Sequence, residues 1–184
     1  MTPQRPSYLP GDAPPADEIA AIIRVDHAGE YGAVRIYEGQ LAVTGRGRAL
    51  DAIRHMAEQE KQHLATFDDL VRTRGVRPTI LHPLWHVAGY ALGIATALLG
   101  ERTAMACTVA VEDVIDEHYQ QQSERLSSHE DRALRATVDR FRQDELRHRD
   151  VALERGAAAA IGYEAISAVV KTGSRIAIWL STRV

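Results

Sequence analysis

Two short stretches of this 184-residue chain decide its fold, Glu60-Lys61-Gln62-His63 and Glu145-Leu146-Arg147-His148. Residues three apart on a helix lie on one face, so each glutamate and its histidine can reach the same ion. Both stretches fall on apolar stripes with helical spacing, Glu60 between Met56 and Leu64 and Glu145 after Phe141. A buried carboxylate must be neutralised, paired or bound to a metal, because its desolvation is costly. The two stretches therefore predict helices that carry metal ligands.

Two further glutamates interrupt apolar stripes on two other predicted helices. Glu30 lies between Ile23 and Tyr37, and Glu112 directly follows the apolar pair at 110–111. Taken alone, any one of these carboxylates is typical of a solvated or ion-paired helix residue. It is their number and regular placement that predicts ligation.

The spacing of the four glutamates repeats along the chain. Glu30 and Glu60 are 30 residues apart with a glycine-rich break at their midpoint, and Glu112 and Glu145 are 33 apart with a break at 127–129. Two antiparallel helices that turn at the midpoint bring such residues to one height, with arms of roughly 22–25 Å. The pattern predicts two helical hairpins packed as a four-helix bundle, with four Glu and two His at one level. Di-iron and di-manganese carboxylate bundles use this ligand set.

The rest of the chain is predicted to be all-α, with one helical domain over residues 17–184 after a proline-rich tail at 1–16. No stretch alternates with period two, so strands are not expected. The helix at 83–99 would be the crossover that such a bundle needs, and the last would be an amphipathic C-terminal helix. The predicted helices cover residues 17–43, 47–74, 83–99, 101–126, 129–155 and 159–182.

The amino-acid composition disfavours one class of function and excludes one kind of metal site. The 22 Lys and Arg nearly balance 25 Asp and Glu, which disfavours a nucleic-acid-binding protein. The single cysteine, Cys107, excludes an internal disulfide or a multi-thiolate metal site, so ligands must be His, Asp or Glu. His27, one turn before Glu30, is interpreted as a core or supporting residue rather than a ligand. His118 is interpreted as a surface residue because its neighbours are polar, as are His55 and His129.

Several longer strings closely resemble the demethoxyubiquinone hydroxylases of ubiquinone biosynthesis, and the match runs from about residue 22 to the C-terminus. These strings are 24–33 (RVDHAGEYGA), 77–79 (RPT), 83–85 (PLW), 96–100 (TALLG) and 104–112 (AMACTVAVE). The resemblance implies a ferritin-like fold with a di-iron centre, and O₂ as co-substrate. It implies hydroxylation of 2-polyprenyl-3-methyl-6-methoxy-1,4-benzoquinol at ring carbon five. The family's six ligands fall on Glu30, Glu60, His63, Glu112, Glu145 and His148.

The resemblance also points to NADH as reductant, although the chain has no G-x-G-x-x-G loop for a dedicated nucleotide fold. Glu60 and Glu145 are expected to bridge the two irons, with Glu30 and Glu112 on one iron each. Tyr119, seven residues after Glu112, is a candidate catalytic residue. It is either a core aromatic or a phenol that positions the quinol or relays a proton or electron.

Membrane contact is expected because a polyprenyl substrate resides in the bilayer. Residues 78–100 contain no Lys, Arg, Asp or Glu, and form either a buried core helix or a membrane contact. The C-terminal helix combines Ile176 and Trp179 with Lys171 and Arg175, as interfacial helices with snorkelling basic residues do. We expect peripheral attachment at the cytoplasmic side of a bacterial cell membrane, since the tail lacks a mitochondrial presequence. The sequence is compatible with a homo-oligomer and with contacts to other ubiquinone-biosynthesis proteins.

Three other functions compete with the hydroxylase. An iron-storage ferroxidase shares the architecture but has no need of an apolar stretch at 78–100. A rubrerythrin-like peroxide scavenger usually carries a cysteine-rich module, which one cysteine excludes. A membrane-associated helical scaffold would bind no metal. The metal content of the purified protein distinguishes the remaining alternatives.

Overall fold

The structure is a computed structural model that describes residues 15–45, 49–127 and 131–184. Every regular element within these residues is helical, which confirms the all-α prediction. The predicted tail lies outside the described residues except for its last two, which begin the first helix. The elements are α1 (Pro15–Val43), α2 (Leu50–Arg74), α3 (His82–Leu98), α4 (Glu101–Leu126), α5 (Arg132–Glu154), a 3₁₀ turn (Ala157–Ala159) and α6 (Tyr163–Ser181).

The helices form the ferritin-like bundle that the sequence predicts. α1 and α2 make one hairpin and α4 and α5 the other, and the hairpins face each other with α1 against α4 and α2 against α5. The crossover α3 packs chiefly on α1, and α6 packs chiefly on α4. Asp131 caps the start of α5, where its carboxylate accepts the backbone N–H of Leu134 at 3.1 Å.

The predicted start of the last helix at residue 159 is wrong by four residues. Gly156 and Gly162 have φ of +88° and +73°, a left-handed conformation that ends a helix and that glycine adopts without strain. A short 3₁₀ turn lies between them, and α6 begins at Tyr163. The other predicted ends agree within three residues, and residues 46–48 and 128–130, where the sequence predicts breaks between helices, lie outside the described residues.

Of the two alternatives left open for residues 78–100, the structure contradicts the buried core helix. The only buried residues of α3 are Gly89 and Gly93, which face α1, and Thr96, while Leu84 and Val87 are more than half exposed. The glycines permit a very close helix crossing, because a Cβ at Gly93 would lie 2.0 Å from the Ile36 carbonyl oxygen. None of the helices in the described part of the chain is both long and apolar enough to cross a bilayer.

Two apolar clusters enclose the Glu and His layer from above and below. One contains Tyr37, Ile53, Met56 and Met105, and the other contains Ile23, Phe67, Tyr119, Leu126, Leu134, Val138 and Phe141. Most of these side chains are at most 2% exposed. The layer between them is therefore removed from bulk water. Electrostatic interactions within it are strong, because the protein interior screens charges less than water does.

Candidate metal centre

The structure brings all six predicted ligand side chains together in the middle of the bundle, each at most 3% exposed. Two groups of four could each hold a metal ion, with all ligand atoms of a group within 4.8 Å of one another. Glu60 and Glu145 belong to both groups, so the geometry is that of two adjoining sites with two shared carboxylates. The groups are Glu30, Glu60, His63 and Glu145, and Glu60, Glu112, Glu145 and His148.

Both imidazoles turn the same nitrogen toward the centre. His63 Nδ1 lies 3.1 Å from Glu145 Oε1, and His148 Nδ1 lies 3.0 Å from Glu60 Oε1. Three of these atoms, Nδ1 of His63 and Oε1 of Glu60 and Glu145, are buried without a hydrogen-bond partner of acceptable geometry. Orphaned buried polar atoms that converge on one point are what a metal ion would satisfy. The donor set therefore fits a pair of metal ions.

The outer nitrogen of each imidazole donates to a residue outside both groups. His63 Nε2 donates to Asp144 Oδ2 at 3.3 Å, and His148 Nε2 donates to Gln59 Oε1 at 3.1 Å. A hydrogen bond at Nε2 fixes the tautomer that leaves Nδ1 free to bind a metal.

The six buried side chains shift one another's pKa values. Burial raises the pKa of Glu60 and of Glu112 well above the usual range, and the nearby charge of Glu145 adds to this. Burial lowers the pKa of His63 and His148, but the close glutamate carboxylates outweigh it and raise both values to about 11. Burial also raises the pKa of Glu145, but the two adjacent imidazoles outweigh it and bring the value to about 2. The positive charges of the two protonated imidazoles thus offset part of the negative charge of the carboxylates.

Two tyrosines support the two glutamates that lie outside the Glu-x-x-His stretches. Tyr37 donates its hydroxyl to Glu112 Oε1 at 2.9 Å, and Tyr119 donates its hydroxyl to Glu30 Oε1. Both rings are buried. Tyr119, the candidate catalytic residue, therefore contacts the predicted ligand Glu30. Tyr37 contacts the predicted ligand Glu112, although the sequence placed it only on the apolar stripe.

An apolar cavity of about 340 Å³ lies between α1, α3, α4 and α6 and opens at the surface. A second cavity of about 20 Å³ adjoins the metal-ligand layer and includes Glu30 and Tyr119 in its wall. Five residues line both spaces, so the two cavities adjoin each other. These are Val25, Gly29, Ala33, Ile115 and Ile178.

The remaining histidines lie outside both ligand groups. His27 is buried, and its Nε2 pairs with Asp68 Oδ1 at 2.9 Å. The prediction that His118 is a surface residue is wrong, because its side chain is 12% exposed and lies 3.4 Å from the buried Asp26. His55 is exposed as predicted, and His129 lies outside the described residues. Cys107 is fully buried, and burial raises the pKa of its thiol to about 12, which makes it unreactive.

The family model described as ubiquinone biosynthesis protein COQ7 matches residues 17–181. The chain belongs to this family. Among its relatives is the 3-demethoxyubiquinol 3-hydroxylase of Rhodospirillum rubrum, 56% identical over 177 residues that cover 96% of this chain and 83% of the relative. The human mitochondrial NADPH-dependent 3-demethoxyubiquinone 3-hydroxylase is 49% identical over 165 residues, 88% of this chain and 76% of the relative. The mitochondrial 5-demethoxyubiquinone hydroxylase of Saccharomyces cerevisiae is 37% identical over 201 residues, covering 98% and 86%.

In this COQ7-family chain, sequence analysis missed three residues that contact the predicted ligands. Tyr37 follows Glu30 by seven residues, the same offset as Tyr119 from Glu112, and that repeat was a usable signal. Gln59 and Asp144 each directly precede a Glu-x-x-His stretch. Nothing in the linear pattern indicates that each serves the histidine of the opposite helix.

Proposed function

We propose that this chain is a demethoxyubiquinol hydroxylase whose six buried Glu and His side chains hold two iron ions. Its COQ7 membership makes it a hydroxylase of ubiquinone biosynthesis, which disfavours an iron store or a metal-free scaffold. The observation that carries the proposal is the large apolar cavity, which shares five wall residues with the small cavity at the Glu and His layer.

The ligands suit iron. Four carboxylates and two imidazoles provide hard oxygen donors and nitrogen donors, a combination that iron accepts in both its common oxidation states. When bound, the ions supply the activation of O₂ that ring hydroxylation requires. Glu60 and Glu145 would be shared by both ions, and Glu30 and Glu112 would each serve one.

The larger cavity is the proposed site of the quinol. Its walls are almost wholly apolar, as a polyprenylated benzoquinol requires. Gly29 and Ala33 leave room for a flat ring on the side facing the ligand layer. The prenyl chain would then leave through the open side of the cavity. Trp85 spans from α3 to α6, where its Nε1 donates to Ser181 Oγ at 3.0 Å and closes one end.

The reaction replaces a ring C–H by C–OH with one oxygen atom of O₂, while the other becomes water. Two electrons and two protons are therefore needed. We propose a reduced nicotinamide as the electron source, because several relatives are named NADPH-dependent. The hydroxyl of Tyr119 is held by Glu30 in the wall of the small cavity, where it can hold or pass a proton beside the ring.

We also propose that the open side of the cavity faces a membrane surface, at the cytoplasmic side of a bacterial cell membrane. Exposed apolar side chains occur on both helices there, Leu84 and Val87 on α3 and Val169 and Trp179 on α6. Such a patch is typical of an interfacial contact. Arg183 stacks over the Trp179 ring at 4.2 Å.

Two of the basic residues expected to snorkel toward lipid have other partners. Lys171 Nζ lies 2.7 Å from Asp113 Oδ2, and Arg175 Nη2 lies 2.9 Å from Glu117 Oε2. Flotation with anionic vesicles tests the membrane proposal. A Val87→Glu/Trp179→Glu double variant should no longer float with the vesicles, whereas Leu153→Glu, an exposed leucine on α5, should behave as wild type.

The activity is tested with iron-loaded protein, a demethoxyubiquinol with a short prenyl chain, a nicotinamide reductant and ¹⁸O₂. Mass spectrometry should show one ¹⁸O atom in the ring product. The Glu145→Gln variant is the matched negative control. Absence of labelled product in wild type with two irons bound would contradict the proposal, and so would equal product from the variant.

A further inference from the structure

The outer partners of the two ligand histidines are arranged reciprocally. Gln59 immediately precedes Glu60 on α2, yet it accepts from His148 of α5 at 3.1 Å. Asp144 immediately precedes Glu145 on α5, yet it accepts from His63 of α2 at 3.3 Å. Because α2 and α5 run antiparallel and face each other, the residue just before each Glu-x-x-His stretch accepts a hydrogen bond from the histidine of the other stretch.

The two supports differ in charge although the ligands they serve are alike. Each half of the centre contains one lone glutamate and one Glu-x-x-His, but His63 is backed by a carboxylate and His148 by a neutral amide. The second oxygen of Asp144 accepts from Arg147, so the carboxylate is held at both ends. Gln59 and Asp144 are both partly buried, so solvent does not cancel the difference.

We propose that Asp144 and Gln59 are positioning residues that make the two metal sites unequal, with the tighter site at His63. A hydrogen bond to a carboxylate is stronger than one to an amide, and it increases the electron donation of the imidazole to a bound cation. The carboxylate also places a negative charge just beyond the ring. The inference rests on the proposed function, because it presumes that the six residues bind a pair of ions.

Anaerobic calorimetric titration of the metal-free full chain with Co²⁺, which is stable as a divalent ion, tests this. Wild type should bind two ions in two separable steps. Asp144→Asn keeps the shape of the side chain and removes its charge, so the tighter step should weaken at least about tenfold while the other stays. Gln59→Glu should instead tighten the weaker step. The double exchange should restore two separate steps.

The assignment to individual histidines needs a second readout. In the Co²⁺-loaded protein, each ligand imidazole has one exchangeable Nε2–H whose proton NMR signal is strongly shifted. Asp144→Asn should move only one of the two signals, and Gln59→Glu only the other. Asp150→Asn is the charge-matched control, since Asp150 lies on α5 and pairs with Arg149 rather than with a ligand.

The outcomes separate this inference from the proposed function. A wild type that binds no pair of ions refutes the metal assignment and the inference together. A wild type that binds two ions in equal steps refutes the inference alone. So does an Asp144→Asn variant that weakens both steps equally, or neither.

Discussion

Tyr37 and Tyr119 each lie seven residues after a buried glutamate of their own helix, and each donates its hydroxyl to the glutamate of the other helix. The pairs cross between α1 and α4, which run antiparallel. The arrangement follows from the repeated hairpin, since the same offset on two facing helices generates the same contact twice. Its symmetry is broken by the surroundings, because Tyr119 lines the small cavity beside the proposed quinol site.

Glu60→Gln should abolish tight binding of the metal pair and at the same time stabilise the metal-free protein. The pKa of Glu60 is raised by burial and by the Glu145 charge, so ionising this side chain opposes folding when no cation is present. A gain of about 1 kcal/mol raises Tm by roughly 2–4 °C in a chain of this size. Metal analysis and thermal melting measure both effects. Glu58→Gln, an exposed glutamate paired with Lys61, should change neither.

Metal binding should release protons, and the apparent affinity should rise with pH. His63 and His148, with pKa near 11, are protonated at neutral pH in the metal-free centre and must lose a proton to ligate. Raised folded-state pKa values stabilise the metal-free fold below the unfolded values, and this stability is lost as pH rises. Calorimetry in buffers of different ionisation enthalpy should count at least about two protons per metal pair, one from each imidazole, and more where a buried glutamate with a raised pKa also releases its proton. An affinity for Co²⁺ that is constant between about pH 6 and pH 8 would contradict this.

Gly93→Ala should destabilise the protein by about 1–3 kcal/mol, the usual range for overpacking. The added Cβ would meet the Ile36 carbonyl oxygen at 2.0 Å and the Gln40 backbone nitrogen at 2.9 Å, and backbone atoms cannot move aside cheaply. Gly173→Ala on α6 is the matched control, because its Cβ would have nothing within 4 Å. That control should be neutral or slightly stabilising, since alanine favours a helix. Denaturant unfolding of both variants is the measurement.

The convergence of the six Glu and His side chains could be predicted because local rules fix it. The spacing of Glu60 to His63 places two side chains on one helix face, and midpoint breaks imply hairpins that bring distant glutamates level. Both rules act along one helix or one hairpin. The charge-free stretch 78–100 could not be assigned in the same way, since apolar composition favours a core helix and an exposed interfacial helix equally. The structure contradicts the core helix, because only Gly89, Gly93 and Thr96 of α3 are buried, and membrane contact stays a prediction.

Side-chain contacts between the two hairpins could not be predicted from the sequence pattern. His118 has polar neighbours in the chain, yet its partners are Asp26 and Gln122, and Asp26 belongs to the facing helix. Gln59 and Asp144 have ordinary positions on their own helices and acquire their role only when α2 meets α5. The start of α6 at Tyr163 depends on the backbone conformation of Gly156 and Gly162, which helical periodicity does not reveal.

Gly173→Leu should raise KM for the quinol while leaving metal content and Tm near wild type. Gly173 lies in the wall of the larger cavity, and its Cβ direction is open, so a larger side chain fills space that the substrate would occupy. Steady-state kinetics with a short-chain quinol tests this. Thr172→Leu, the exposed neighbour outside the cavity wall, should retain the wild-type KM. If both variants raise KM alike, the ring binds elsewhere.

Tyr119→Phe should reduce turnover at least about tenfold, or roughly 1.4 kcal/mol of barrier, while metal content and Tm stay close to wild type. The substitution keeps the ring in the apolar cluster and removes only the hydroxyl that Glu30 accepts. Tyr37→Phe is the matched control, because it removes the equivalent bond to Glu112 while the Tyr37 ring lines neither cavity. If the bonds only orient glutamates, the two variants should lose similar activity. A larger loss of kcat in Tyr119→Phe assigns its phenol a direct role beside the ring, whereas wild-type turnover would return Tyr119 to the packing of the core.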